Sequence, residues 1–350
     1  MSTALEGADN AAASEDRGWR RLIASCVSPG VWATAMPFPS VLGYSYCYSV
    51  RVLGGIVVVD LGWDSDEAWQ VFQAGLQRAG AALDEIVGVV ATHVHPDHYG
   101  LAGRIKADTD AWIAVHAAET QYVVGGGDRA DKAEQLTDWL RACGVPRNDG
   151  LAGEVTRLVT SMASVPPDVV LADGDSVPDT DGALIAVHTP GHTAGHLCFH
   201  DRSRGLLFTG DHVLPRVTPN VSKRPGSSAD PLGDFVDSLN LLRDIDESTL
   251  VLPGHEWPFD RLSDRLGVLS EHHAHRLGEI AQAVEQGAAT VWEVANALRW
   301  SRPFDRFDAR AQRQALGETY AHLHRLEHDG RLGTRVRNSG TIEWHAPLGN

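Results

Sequence analysis

Three imidazoles and one carboxylate fall within six residues of this 350-residue chain, at His93, His95, Asp97 and His98. The apolar run EIVGVVA precedes them, so the segment Thr92–Gly100 reads as a loop between a buried strand and a helix. Imidazole nitrogen and carboxylate oxygen are the ligand types of zinc, and of iron or manganese, at catalytic sites. The alternation His93-Val94-His95 points two rings to one side, while Asp97 and His98 face another. One ion cannot comfortably take four ligands from so short a loop, which suggests two ions sharing it. A run of solvated histidines is the competing reading, and the apolar strand before the loop speaks against it.

Two ions need more ligands from later loops, and the chain supplies them. His192 lies in TPGHTAGH after the run ALIAVH, Asp211 in TGDH after LLF, and His255 in PGH after TLVL. Each is a strand, then small residues, then a ligand type. Around them the pattern alternates. SYCYSVRV and GGIVVVDLG form a hairpin about Gly54-Gly55, and a helical spacing of Ala68, Val71, Phe72, Leu76 and Ala79 runs to Gly80 before the strand EIVGVV. Strand, helix and strand make a βαβ unit, whose carboxyl ends are where ligands gather. AWIAVHA is a further strand, ETQYV starts a helix, and residues 131–158 read as helical with a break near Gly144. VVLADGD, ALIAVHTPG, HLCFHD and GLLFTGD return to strand character after Pro166.

From about residue 263 the spacing is helical through EHHAHRLGEIAQAVEQG, TVWEVANALRW and AQRQALGETYAHLHRLEHDG, with Thr290 and Glu293 as a capping box. Two strand-like runs about Asn338-Ser339-Gly340 close the chain. Three helices and a hairpin outline a winged helix.

The motifs HxHxDH, TPGHT, TGD and PGH, in this order over roughly residues 30–260, resemble the metallo-β-lactamase superfamily, including its glyoxalase II type. The resemblance implies an α/β fold, a four-layer αββα sandwich. It places His93, His95 and His192 on one ion and Asp97, His98 and His255 on a second, with Asp211 bridging. Class B lactamases lack that bridging aspartate, whereas glyoxalase II-like hydrolases and phosphodiesterases of the fold have it, so antibiotic hydrolysis is disfavoured. The C-terminal region resembles the small winged helix attached to lactamase-like hydrolases, a group that includes thioesterases and an endoribonuclease. The expected organisation is a disordered tail over residues 1–18, a catalytic domain over 19–262 and a winged helix over 263–350.

Two divalent ions, zinc or alternatively iron or manganese, make a shared water acidic enough to act as a bridging hydroxide. Asp97 and Asp211 are then the candidate catalytic carboxylates. Asp60 resembles the family's structural aspartate and is expected to hold the metal loop. His196 and His212, beside ligands, are candidates for orienting them. Tyr99, Arg216, Lys223 and Arg224 are candidates for touching substrate, the cations through an anionic group. His272, His273 and His275 read as a solvated helix face, and Cys198 as a core thiol.

A net charge of −16 disfavours a general nucleic-acid coat or membrane-surface binder, although a local basic patch can hide beneath it. Residues 265–350 carry 11 Arg against 10 acidic residues, so the winged helix is neutral; Arg331, Arg335 and Arg337 nonetheless cluster at its hairpin. Hydrolysis of a small acyl substrate, a thioester or lactone, is therefore favoured over cleavage of single-stranded RNA or another phosphodiester. A metal-binding protein without turnover is third, since all seven ligand positions are intact. The winged helix is then a lid or a dimer contact. Four scattered cysteines without a CxxC pair, an N-terminus without a signal pattern and the lack of a spanning apolar run lead to the expectation of a cytoplasmic protein.

Overall fold

The computed structural model describes residues 24–39, 42–123, 129–146, 151 and 165–347. The tail at residues 1–18 and most of the helical reading beyond residue 146 lie outside them. A seven-stranded sheet runs in sequence order: β1 (Ala24–Ser28), β2 (Val31–Pro37), β3 (Tyr44–Val52), β4 (Gly55–Val59), β5 (Ile86–Val90), β6 (Trp112–His116) and β7 (Val169–Leu171). Its first four strands are antiparallel neighbours and β4 to β7 are parallel. A second sheet has the order β11-β10-β9-β8, from β8 (Leu184–His188), β9 (Leu197–Asp201), β10 (Leu206–Gly210) and β11 (Leu250–Pro253).

Period-two alternation assigns each strand's residues to two different cores. On β3, Tyr44, Tyr46, Tyr48 and Val50 face the second sheet, meeting Phe199, Leu206 and Phe208, while Cys47 faces outward. On β4, Val57 and Val59 face inward, whereas Ile56 and Val58 pack beneath helices α1 (Asp66–Arg78) and, beyond the short α2 (Pro96–Tyr99), α3 (Ala102–Asp108). Helix α1 begins where the Ser65 hydroxyl accepts from Ala68 N–H and stops at Gly80, whose φ of +68° no β-carbon tolerates well. After the short α4 (Thr120–Val123) and α5 (Arg129–Ala142), α6 (Pro231–Leu241) and α7 (Leu262–Glu285) cover the second sheet's outer face through Phe235, Leu239, Leu266 and Leu269. Helix, sheet, sheet and helix give the four-layer sandwich.

Strands β1 and β2 have no counterpart in the sequence reading. Their 24–37 segment is short, mixed and interrupted by Gly30, so neither alternation nor length marks it.

Helices α7, α8 (Val291–Ala297) and α9 (Ala309–His328) and the hairpin β12 (Gly333–Val336) and β13 (Ile342–His345) form the C-terminal unit. Thr290 and Glu293 make the capping box of α8. Helix α7 serves two cores: Leu262, Leu266 and Leu269 pack on the second sheet, while Ile280, Ala283 and Val284 join Val294, Leu316, Leu323 and Trp344. Leu136, Trp139 and Leu140 of α5 enter that second core. His273 departs from the solvated face expected of it. It is 2% exposed, because it follows Leu266 and Leu269 on the buried stripe of α7, and its Nδ1 lies 3.1 Å from His322 Nε2. His275 is exposed.

Candidate metal centre

The ligand-type residues follow β5, β8, β10 and β11, so all emerge at the carboxyl ends of strands. The two sheets are tied together there. The Tyr48 hydroxyl donates to Pro253 O at 2.7 Å, that of Tyr44 donates to Glu256 O, and Tyr46 N–H donates to Gly254 O at 2.7 Å. Ser45 Oγ donates to Asp97 O at 2.8 Å. Strand β3 thus positions the two loops against each other, its tyrosines holding the His255 loop and Ser45, on its other face, the Asp97 loop.

Two groups of ligand atoms result. His93 Nε2 lies 2.8 Å and His192 Nε2 3.0 Å from His95 Nδ1, so three nitrogens converge on one point. In the second group His255 Nε2 lies 3.2 Å and His98 Nε2 3.7 Å from Asp97 Oδ2. Asp211 stands between them: Oδ1 is 3.4 Å from both His98 Nε2 and His255 Nε2, and Oδ2 is 3.7 Å from His192 Nε2.

The outward nitrogens fix the rings. His98 Nδ1 lies 2.7 Å from Asp60 Oδ2, His192 Nδ1 2.8 Å from Asn220 O and His255 Nδ1 2.8 Å from Tyr44 O, so each carries its proton outward and leaves Nε2 free to ligate. His93 is held indirectly. Thr92 N–H and hydroxyl donate to Asp60 at 2.7 and 2.9 Å, and the same hydroxyl oxygen sits 3.0 Å from His93 Nδ1. Asp60 therefore supports one ligand in each group, from a backbone at φ +59°. His196 Nε2 accepts from Asp211 N–H at 3.2 Å, and its Nδ1 meets Thr189 Oγ1 at 2.9 Å. His212 is buried edge-on against Phe235.

Burial, reinforced by neighbouring imidazoles, holds His93 and His95 well below the usual histidine range, so both are neutral and offer lone pairs. Burial also opposes charge on His98 and His255, but Asp211 and the carboxylates around it outweigh it, raising His98 and taking His255 up to about 10. Burial would raise Asp97 and Asp211; His98 and His255 hold both below the carboxylate range. These residues fit divalent cations. Their donor set is nitrogen and carboxylate; within each of the overlapping triplets His93–His95–His192, His93–His98–Asp211 and Asp97–His98–His255 the ligand atoms lie within 4.8 Å, and buried His98 Nε2 and Asp211 Oδ1 make no hydrogen bond among the described residues. A cation bound there takes over the charge compensation that protons otherwise provide.

A cavity of about 350 Å³ opens beside His95 and His192. Of the four substrate candidates, only Arg224 lines it, with Nη2 3.1 Å from His95 Nε2. Lys223 Nζ donates to Ser228 O at 3.0 Å and to Ala229 O, and Arg216 pairs with Glu256 at 3.0 Å beneath Trp257. Tyr99 is buried in the helix-facing core, its hydroxyl donating to Val165 O at 2.9 Å. Sequence reasoning missed Glu119, Arg310 and Arg313. Glu119 is fully buried; its carboxylate accepts from Val94 N–H at 3.1 Å and Gly195 N–H at 2.9 Å, joining the two loops that carry His95 and His192. Its place just past the carboxyl end of β6 was the available signal. Arg310 and Arg313 reach the cavity from α9.

Residues 41–255 match the family model of the metallo-beta-lactamase superfamily, and residues 277–347 match that of the metallo-beta-lactamase-like C-terminal domain. The chain belongs to the metallo-β-lactamase superfamily and is a metallo-hydrolase. It is 32% identical over 215 residues to the acyl-coenzyme A thioesterase MBLAC2 of Bos taurus, covering 59% of this chain and 70% of that protein. It is 24% identical to the probable metallo-hydrolase YqjP of Bacillus subtilis, covering 85% of this chain and 92% of the other. A solved metallo-beta-lactamase family protein from Thermus thermophilus superposes with a TM-score of 0.75 at 26% identity, covering 92% of this chain and all of its own. No helix among the described residues is long and apolar enough to cross a membrane.

Proposed function

We propose that the chain hydrolyses a small acyl thioester at a centre of two divalent ions, zinc in the first instance. The observation that carries this is Asp211, which turns one carboxylate oxygen toward each ligand group, 3.4 Å from His98 and His255 and 3.7 Å from His192. His93, His95 and His192 would hold one ion, Asp97, His98 and His255 the other. Such ions supply an acidic water as nucleophile and polarise the acyl carbonyl.

The carboxylates of the ligand groups favour a leaving group that departs without a proton. Both Asp97 and Asp211 are held ionised. A thiol ionises near pH 8.5, so a thiolate leaves unaided where an amine would not. Similarity to an acyl-coenzyme A thioesterase supports the same class. RNA cleavage is less well supported, because Arg335 and Arg337 of the hairpin both pair with Glu343. Within this reading the C-terminal unit, taken as a winged helix, is a pocket wall.

The test is a panel of acyl-coenzyme A, S-acylglutathione and single-stranded RNA with metal-replete protein, alongside Asp211→Ala. Thioester turnover that drops at least about 100-fold in the variant, with lowered metal content, is the expected result. RNA cleavage without thioesterase activity, or full turnover by Asp211→Ala, overturns the proposal.

A further inference from the structure

The cavity beside the ligand groups is lined by three guanidinium groups that come from two separate parts of the chain. Arg224 lies on the loop after Asn220, and Arg310 and Arg313, one turn apart on α9, complete the same wall. Among the described residues no carboxylate lies within ion-pair distance of any of them. Other partly buried arginines do have partners: Arg104 with Asp64 at 2.9 Å, Arg276 with Glu279 at 3.0 Å and Arg325 with Asp230 at 2.9 Å. Glu119, the carboxylate in the cavity lining, attracts Arg224 through space, but its two oxygens accept from the Val94 and Gly195 N–H groups.

Gathering three guanidinium groups around a single nearby carboxylate, Glu119, leaves an excess of positive charge that is unfavourable, and more so in a chain of net charge −16 with many carboxylates to offer. The cost shows locally: Arg313 Nε is buried without a hydrogen-bond partner, and burial together with Arg224 and Arg310 pushes its guanidinium down to about 10. An arrangement that is unfavourable in the empty cavity and becomes favourable with an anion in it is a binding device. Three planar forks suit a group with several acceptor oxygens and more than one negative charge, since a single carboxylate would leave at least one of them unpaired.

We propose that Arg224, Arg310 and Arg313 form a subsite for a phosphate group on the thiol carrier of the substrate, so that the thioesters preferred here are phosphorylated ones. This rests on the thioesterase reading for the substrate's identity, while the subsite is measured separately from turnover. It also gives the C-terminal unit a part in recognition, because two of the three cations belong to it and the catalytic domain alone would hold Arg224 only.

The probe is adenosine 3′,5′-bisphosphate, which carries phosphate but no thioester, titrated calorimetrically into the full metal-loaded chain. Arg310→Ala and Arg313→Ala should each weaken its binding about tenfold or more, with partial recovery in Arg313→Lys, and affinity should fall steeply with salt. In parallel, the ratio of kcat/KM for acyl-coenzyme A to that for the uncharged acyl-N-acetylcysteamine thioester should fall about tenfold in the Arg310 and Arg313 variants. Thermal melts check that each variant is folded, and Arg310→Ala stands in should Arg313→Ala misfold. Absence of binding to the wild type, or equal binding by folded variants, overturns the subsite. If thioesters are hydrolysed but the ratio holds, the subsite alone fails. If no thioester is hydrolysed, the proposed function fails and calorimetry still decides the subsite.

Discussion

Removing Asp60 should disable both ion positions although it ligates neither. Its carboxylate accepts from Thr92 N–H, the Thr92 hydroxyl and His98 Nδ1, at 2.7, 2.9 and 2.7 Å, in a pocket where it is 2% exposed. Asp60→Ala leaves three buried donors without an acceptor. At about 1–3 kcal/mol for each, the loss of stability is at least about 3 kcal/mol. His98 and, through the freed Thr92 hydroxyl, His93 lose the partner that fixes which nitrogen faces inward. Loss of such a partner typically weakens metal binding about 10- to 100-fold, and here one ligand of each group is affected. Thr92→Val separates the two routes, because it cuts the relay to His93 and leaves the bond from His98 to Asp60. Competition against a chelator of known affinity, with metal content measured at each step, should show both ions weakened in Asp60→Ala and one chiefly in Thr92→Val. A folded Asp60→Ala protein that retains both ions within twofold of wild-type affinity would refute the reasoning.

A glycine that permits close approach makes a second case. A β-carbon at Gly254 would lie 2.5 Å from Asp211 Oδ1 and 2.7 Å from His98 Cε1, so Gly254→Ala should displace the bridging carboxylate, lower metal content and cost about 1–3 kcal/mol; unchanged metal affinity would show the approach is not needed. Acid sensitivity is set partly between α7 and α9. Burial holds His273 down to about 2 and His322 to about 4, against 6.5 when unfolded, so below pH 6.5 the unfolded chain binds more protons and stability falls as pH drops, by up to about 1.4 kcal/mol per pH unit for each ring. Glu318, raised to about 7 by burial, works the other way between pH 7 and 4.5, where the folded chain keeps a proton that the unfolded one releases. Urea unfolding from pH 7 to 4.5 should give a shallower acid loss for His273→Asn and a steeper one for Glu318→Gln; parallel profiles would contradict both assignments.

The strands and the ligand loops were legible because each carries its own signal: alternation along β3 and β4, and ligand types within a few residues of a strand end. The groups that support the ligands were harder to read. Glu119 has no motif, since its work is to bind two backbone N–H groups that only the fold brings to it. Arg310 and Arg313 were hidden by summation. A near-neutral total over residues 265–350 says nothing about which arginines have carboxylate partners; Arg335 and Arg337 of the hairpin pair with Glu343, while among the described residues Arg310 and Arg313 of α9 have no such partner. His273 could have been found. Its spacing from Leu266 and Leu269 sets it on the apolar stripe, and the polar neighbours His272 and His275 obscured that periodicity. Proximity in sequence likewise suggested Lys223 beside Arg224, yet adjacent residues on a turn diverge, and Lys223 caps carbonyls at the start of α6 instead.

Helix α7 completes two hydrophobic cores with one unbroken run of 24 residues. Melting either core frays the helix that the other needs, so heat or denaturant should take both in a single cooperative transition. Ending the chain before residue 262 would strip Leu266 and Leu269 from the second sheet as well as removing the C-terminal unit. The wall bearing Arg310 and Arg313 is thus anchored to the same scaffold as the loops of His93–His98 and His255, so an anion held by the proposed subsite would lie at a separation from the metal centre that the fold itself fixes.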